Sequence, residues 1–479
     1  MRLSRLAVLG CLAAAAAAPA FANDTDVDPS FAPTANLDGW TRQYFGTTDE
    51  KTVGLARATT ATDAGFILAT SVSGGSNGAR VGLFKLDRNG TRVADFGVAG
   101  RIVTDTGFTT VDAMTVDGSG RIVVVGSRPG FGGVGDFAIA RFQPNGSLDP
   151  AFGTSGVTSY TFEQSSTAFA EASRSVLTDT DGKIVVAGNV GIPSASSNRF
   201  GLFRLNVDGT LDTTFGNLVN GSGFRGVVER FSGTRDAYAA KVLKVGGNHY
   251  VVVGTSVYSS TDTDFAARLI LPDGGIWAND TGTISLPIDE PGNGGSLYDT
   301  AISAATTGPT TVVVAGTASG HAAARRFKLG GLSGGLYTTL TNDTDFVGSA
   351  IAGRPNRFVS IYADTYPNAL AVRGNGDILM VGRIPDGVTA GRQLGLLTRL
   401  RANGSPDPDF SFSDGASVLY APVSGNAGTS WYTELTAVVL DGARPVIAGS
   451  AVDSTAAVND FDAVVARLSS DMIFADGFQ

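Results

Sequence analysis

A β-branched apolar run returns seven times along this chain, and that repetition limits the folds open to it more than any other feature. The copies are Phe66-Ile67-Leu68-Ala69, Ile122-Val123-Val124-Val125-Gly126, Ile184-Val185-Val186-Ala187-Gly188, Tyr250-Val251-Val252-Val253-Gly254, Val312-Val313-Val314-Ala315-Gly316, Ile378-Leu379-Met380-Val381-Gly382 and Val446-Ile447-Ala448-Gly449. Counted from Ile67, neighbouring copies lie 55, 62, 66, 62, 66 and 68 residues apart. A second marker follows each run, a basic-apolar pair before a polar turn: Lys85-Leu86, Arg141-Phe142, Arg204-Leu205, Arg268-Leu269, Arg326-Phe327, Arg399-Leu400 and Arg467-Leu468. Turns such as Arg88-Asn89-Gly90, Pro144-Asn145-Gly146 and Val207-Asp208-Gly209 come next, with glycine supplying positive φ. Repetition of this kind marks supersecondary units that bury their faces only against their neighbours.

Each unit holds four strand candidates, clearest in the second: Ala113 to Val116 (a), Arg121 to Gly126 (b), Phe137 to Phe142 (c) and Val157 to Phe162 (d). Four strands in seven units predict an all-β, seven-bladed β-propeller. A solenoid needs shorter coils, and a Greek-key sandwich does not repeat seven times. Sixty-four glycines and a low charged fraction agree with many short strands and tight turns. The last unit stops soon after Arg467-Leu468, and its missing d strand is expected at the other end of the chain. There Asp28-Pro29-Ser30-Phe31 and Gly39 to Phe45 match the lead-ins Asp149-Pro150-Ala151-Phe152-Gly153 and Asp212-Thr213-Thr214-Phe215-Gly216. Residues 28–45 are therefore expected to complete the seventh blade and so to close the sheet on itself. The repeats are placed at about 46–105, 106–162, 163–228, 229–288, 289–350, 351–422 and 423–472, in a single domain over 23–479 with a tail at 473–479.

The segments DFAIARFQPNGSLDPAFGTSGV at 136–157 and TDTDGKIVVAG at 178–188 resemble the delta-60 repeat of exported bacterial proteins. The likeness covers nearly all of the chain after residue 22. It weakens in units four and five, where Gly330-Gly331-Leu332 replaces the Asn-Gly-Ser-Leu-Asp signature. It implies an exported propeller-like array and brings no catalytic motif with it.

Export is also legible from the first residues. Arg2 and Arg5 precede an apolar stretch from Leu6 to Ala18, and Ala20-Phe21-Ala22 offers a small-x-small cleavage site. That order predicts a signal peptide over 1–22, cut after about Ala22, and a secreted or periplasmic protein. The rival, a lipoprotein signal at Val8-Leu9-Gly10-Cys11, would leave almost no apolar core before the cut. With Cys11 removed the mature chain is cysteine-free, which excludes disulfides and cysteine-ligated metals. Losing Arg2 and Arg5 leaves 33 basic residues against 44 acidic ones, net −11, with no basic stripe for nucleic acid. No later run reaches membrane-spanning length, and a monomer is expected.

Little in the sequence points to catalysis. The only histidines, His249 and His321, lack partners at ligand spacing; His249 is expected at the surface in an a–b turn. Gly130-Phe131-Gly132-Gly133 lacks the lysine and helix of a phosphate cradle. Asp179 with Asp181, Asp262 with Asp264, Asp343 with Asp345 and the cluster Asp24, Asp26, Asp28 place carboxylates two apart in loops. Such loops supply some of the roughly six to eight oxygens that calcium takes, so structural calcium is the one cofactor considered. The competing reading is turn capping by Asp. Glu163, Glu171, Glu229, Glu290 and Glu434 lie near d–a connections, where paired acids could hydrolyse glycans. The d–a and b–c loops share one face and vary in length, which is where recognition usually sits. Tyr238, Tyr298, Tyr366, Trp431 and Tyr432 gather there as candidate ligand contacts. The reading is a non-enzymatic binding or scaffold propeller for a protein or polysaccharide of the envelope or extracellular space. Its alternative is a hydrolase or lyase acting on such material.

Overall fold

The computed structural model describes residues 27–468, apart from 33–38, 47, 59–63, 163–168, 193–196, 219–224, 232–235, 278–281, 289–296, 349–355, 361, 387–391, 408–409, 411–415, 420–431 and 453–460. Among the described residues the chain is all-β, with short 3-10 turns and no α-helix.

After an N-terminal strand, β1 (Trp40–Gln43), the strands follow one another as antiparallel meanders. The first comprises β2 (Glu50–Arg57), β3 (Gly65–Gly75), β4 (Gly78–Asp87) and β5 (Arg101–Phe108). The next is β6 (Thr110–Val116), β7 (Ile122–Pro129), β8 (Gly135–Phe142) and β9 (Val157–Tyr160). It is followed by β10 (Ala170–Thr178), β11 (Ile184–Ile192) and β12 (Ser197–Leu205), with β13 (Asn217–Leu218) and β14 (Arg225–Glu229) at its edge. Then come β15 (Ala237–Lys244), β16 (Tyr250–Ser259), β17 (Asp262–Ile270) and β18 (Thr283–Leu286). The following meander is β19 (Leu297–Gly308), β20 (Thr311–Ala318) and β21 (His321–Ser333), which pairs with both β22 (Leu336–Asn342) and β23 (Phe358–Val359). The last two are β24 (Tyr366–Val372), β25 (Ile378–Pro385), β26 (Gln393–Leu400), β27 (Ala416–Leu419), and β28 (Tyr432–Asp441), β29 (Arg444–Val452), β30 (Phe461–Arg467).

The second strand of each meander carries the apolar run because neighbours cover both of its faces. In β7, Val123 and Val125 join a core with Val176, Val186 and Phe203 of the following meander, while Ile122 and Val124 join Ile67, Ala69 and Leu83 of the preceding one. A strand buried on both faces reads as a continuous apolar run rather than an alternation. The hydrophobic core is thus a series of slabs between consecutive meanders. One slab joins the two ends of the series, with Phe31, Phe66, Leu68 and Phe84 against Val446, Ala448, Ala463 and Val465. The first strands pack in the same order: β2 touches β6, β6 touches β10, and so on through β15, β19 and β24 to β28, which touches β2. The expectation of a sheet closed on itself is corrected here, since among the described residues no hydrogen-bonded sheet closes and consecutive meanders meet mainly through side chains.

The chain ends do pair. β1 runs antiparallel to β30, with Trp40 opposite Ala466 and Gln43 opposite Ala463.

A repeated latch explains the basic-apolar pair and the turn that follows it. Arg141, only 2% exposed, donates from Nε to Asp149 at 2.8 Å, and its guanidinium lies 4.5 Å from the Phe152 ring centroid. Arg204, Asp212 and Phe215 repeat this at 2.8 and 4.5 Å. Arg326, Asp343 and Phe346 repeat it at 2.5 and 5.1 Å, and Arg399, Asp407 and Phe410 at 2.6 and 4.7 Å. The latch also reaches the next meander. Phe152 packs under Gly209, whose φ is +86° and where a Cβ would come 2.9 Å from the ring, and the Gly153 amide donates to the Asp208 carbonyl at 2.8 Å. Across the termini the same parts recur: Arg467 donates to Asp28 at 2.8 Å, lies 5.2 Å from the Phe31 centroid, and Phe31 packs under Gly90.

Candidate functional site

Each first strand skips one residue against its second strand near the same end, and β19 skips a second one, Thr307, farther along. The skipped residues are Val53 in β2, Asp112 in β6, Arg174 in β10 and Ala240 in β15. In β19, β24 and β28 they are Ile302, Asn368 and Thr436. A bulge of this kind sharpens the local twist and re-aims a side chain. Here all of these side chains line one cavity of about 680 Å³. The remaining wall includes Asn189, Thr255 and Ser450 near the ends of β11, β16 and β29, and Phe461 at the start of β30. Second strands end and third strands begin at this end of the molecule, so the cavity lies at the d–a/b–c end. The latches lie at the other end.

Side chains tie these strands together around the cavity. The amides of Thr52, Ala239 and Ala301 donate to Ser450 Oγ at 2.8 Å, Asn189 Oδ1 at 2.7 Å and Thr255 Oγ1 at 3.0 Å, each on the preceding meander. Asp112 accepts from Ser173 Oγ at 2.8 Å and Thr110 Oγ1 at 3.0 Å. Burial raises its pKa above the usual carboxylate value, against the pull of these hydroxyls and of the Arg174 charge. Glu434 accepts from Asn368 Nδ2 at 3.0 Å and Tyr432 Oη at 2.8 Å, with Arg383 Nε 3.4 Å away. Burial and the neighbouring Glu434 push the Tyr432 phenol up to about 12. Lys241, the residue after the β15 bulge, is half-buried in the wall, and burial lowers its pKa.

Of the aromatic candidates, the structure brings Tyr238 and Tyr432 into this cavity. Tyr238 accepts a hydrogen bond from Asn198 Nδ2 at 2.8 Å. Tyr298, 45% exposed, donates to the Ser260 carbonyl at 2.8 Å and does not line the wall. Tyr366 is covered by the Arg383 guanidinium, 4.3 Å from its ring centroid. Trp431 lies outside the described residues, as do Glu163 and Glu290. Glu171 is buried and accepts the Phe162 amide at 2.6 Å, which ties down a d–a connection. Glu229 ends β14, away from the cavity.

The paired aspartates find partners within the protein. Asp179 ion-pairs with Lys244 at 2.7 Å and accepts the Tyr250 hydroxyl, while Asp181 accepts the Lys183 amide at 3.1 Å in its own turn. Asp264 accepts Ser285 Oγ at 2.5 Å, and Asp262 faces Ser259 across the β16–β17 ladder. Asp28 and Asp343 are latch residues. Among the described residues no three His, Cys, Asp or Glu side chains converge on a point that could hold a metal ion.

His249 departs from the surface position expected of it. It is fully buried, with Nδ1 3.1 Å from the Gly246 carbonyl and its ring against Tyr337, because the β21–β22 hairpin of the next meander covers the turn. His321 starts β21, with Nδ1 2.9 Å from the Ser360 carbonyl.

Both segments matched by a family model, 118–152 and 180–215, run from an a–b turn to a latch phenylalanine, and that family is described as a domain of unknown function (DUF5122) β-propeller. No curated protein matches the chain. Among solved structures, a protein of unknown function from Dyadobacter fermentans is 10% identical, over 90% of this chain and 98% of that one, at a TM-score of 0.43. A subtype N11 neuraminidase-like protein of A/flat-faced bat/Peru/033/2010 (H18N11) is 10% identical over 92% and 96% of the two chains, at 0.39. The β-propeller domain of the Trilobed protease from Pyrococcus furiosus is 6% identical over 88% and 94%, at 0.38. No helix among the described residues is long and apolar enough to cross a membrane. Family model and strand order agree on the fold: the chain is an all-β protein of the β-propeller kind.

Proposed function

We propose that this chain is an exported, non-enzymatic binding propeller of seven four-stranded blades, with β1 as the outer strand of the last. Its signal peptide ends at about Ala22, and it works as a monomer in the periplasm or outside the cell. It recognises a protein or polysaccharide through its d–a/b–c loop face. One observation carries this reading: the cavity at that end is walled by bulge residues of differing chemistry, while the opposite end repeats one Arg–Asp–Phe latch in five of the units. A rigid, repeated frame with a variable lining is how scaffolds present recognition sites.

The test is capture of envelope and culture-medium glycans and proteins on the immobilised mature protein, beside a Tyr238→Ala, Asn189→Ala double variant. A partner retained by the first and lost by the second supports the reading. Equal retention, or none, overturns it.

A glycan hydrolase is the second reading, because Asp112 and Glu434 line the same cavity and burial raises the Asp112 pKa. Binding is preferred because both carboxylates are already held by hydroxyl, amide or guanidinium partners. Turnover of an envelope glycan that is abolished in Asp112→Asn would reverse that preference.

A further inference from the structure

We propose that the cavity is an anion site, and that its ligand is an acidic saccharide whose carboxylate sits between Arg174 and Lys241. This rests on the reading of the cavity end as the recognition face and names the class of ligand it takes.

Charge accounting around the cavity carries the inference. Three cations line it, Lys51, Arg174 and Lys241, against two carboxylates, Asp112 and Glu434. Both carboxylates are engaged as described above. The cations are held less closely, the Arg174 charge acting on Asp112 without an ion pair. Among the described residues Lys241 and Arg174 make no ion pair or hydrogen bond, and the contact of Lys51 is with the Phe461 ring, 5.1 Å away. The latch arginines differ: Arg141, Arg204, Arg326, Arg399 and Arg467 each bind a dedicated aspartate.

Arg174 and Lys241 stand on neighbouring innermost strands. One is the β10 bulge residue and the other follows the β15 bulge, and the two strands are joined beside them by the Val242 amide donating to Ser175 Oγ at 3.2 Å. Lys241 is half-buried and makes no ion pair among the described residues, and an incoming carboxylate supplies it with a counter-charge, with the exposed Arg174 beside it as a second donor. The rest of the wall decides for a saccharide. Thr300, Ser303 and Asn189 Nδ2 offer hydroxyls and an amide for sugar hydroxyls, and the Tyr238 ring offers a stacking surface. A volume of about 680 Å³ suits a small ligand rather than a folded partner.

Titration calorimetry of the mature protein with trigalacturonate and with the matched neutral galactose trimer tests this, since the two differ by their carboxylates. The expected result is at least tenfold tighter binding of the acidic trimer, weakened by salt and lost in an Arg174→Gln, Lys241→Gln double variant. In ligand-free, low-salt buffer Lys241→Met is expected to raise Tm by a few degrees, because it removes a desolvated charge. Equal binding of both trimers, binding insensitive to the double variant, or preference for an acidic peptide over the uronide overturns the proposal. So does no binding of either trimer, or a lowered Tm in Lys241→Met. The recognition-face reading fails separately: a captured partner lost in Tyr238→Ala, Asn189→Ala but kept in the cation variant leaves that reading standing and removes the anion site alone.

Discussion

The two ends of this propeller share one period and use it in opposite ways. At the latch end the same three residue types recur around the molecule: Arg204 with Asp212 and Phe215, Arg399 with Asp407 and Phe410, Arg467 with Asp28 and Phe31. At the cavity end the equivalent bulge positions hold Val53, Asp112, Arg174, Ala240, Ile302, Asn368 and Thr436, and almost no two are alike. Repetition of chemistry marks a structural duty that each unit must meet for its neighbour. Variation at a fixed geometric position marks a site where the unit is free of that duty. The comparison therefore predicts that damage at the latch end lowers stability and spares ligand binding, and that damage at the cavity end does the reverse.

The largest expected effect comes from the latch that spans the chain ends. Removing residues 23–45 takes away β1, Asp28 and Phe31 together, exposing the edge of β30 and one face of the slab they cover. A sharp fall in Tm and protease cleavage near the new edge are expected. An unchanged melt would show that the terminal strand closes nothing.

Next in size is a pair of single changes that separates the terminal latch from an internal one. Asp28→Ala and Asp149→Ala each leave a buried guanidinium without its carboxylate, a loss of about 3–5 kcal/mol when a buried pair is broken. They differ in connection. Asp149 lies eight residues from Arg141, whereas Asp28 lies 439 residues from Arg467. The internal latch is held in place by its own short turn. The terminal one alone must also keep two chain ends together, so Asp28→Ala should give the lower urea midpoint. Equal midpoints would mean that β1 holds the ends without help.

Much of this architecture was legible in the sequence because latch chemistry is short-range. The Asp149-to-Phe152 motif and the Asn145-Gly146 turn sit within a few residues of Arg141. The position of Asp28 could be read because it copies that local motif. The bulge positions were not legible. They are defined by how β2 through β28 lose register, and no residue type marks them. Tyr238 was reachable because aromatics stand out, while Lys241 and Arg174 look like ordinary surface charges until the innermost strands are brought together. His249 was misplaced for the same reason: its cover, Tyr337, comes from a hairpin in the following unit.

Acid should act on the latch end first. In Asp28, Asp149, Asp212 and Asp343 burial pulls the pKa up, yet hydrogen bonds and the arginine or lysine charges outweigh it, so the net shift is downward. A carboxyl with a depressed folded-state pKa contributes stability that is present above its unfolded value, about 3.9, and is lost as pH falls through the folded value. Stability should therefore decline from about pH 4 downward, and Asp149→Asn should flatten that decline. A melt equally acid-sensitive in the variant would place the titrating groups elsewhere.

The smallest expected effect tests whether the latch can be written into the first unit, where its arginine and aspartate are missing. In the first meander Lys85 stands where the latched units have arginine and Val93 where Asp149, Asp212 and Asp407 stand in theirs, yet the backbone is the same: the Val93 amide donates to the Lys85 carbonyl at 2.9 Å, as the Asp149 amide does to that of Arg141. Phe96 is already in place, with the Lys85 ammonium 5.9 Å from its centroid and Gly146 of the next unit above it. Lys85→Arg with Val93→Asp supplies both missing partners, and a gain of about 1 kcal/mol is expected once the desolvation of the new pair is offset. Val93→Asp alone should destabilise, because Lys85 presents one charge point where the fork geometry of arginine grips both the carboxylate and the next unit. A double variant no more stable than the single would show that the latch depends on more of the unit than its three named side chains.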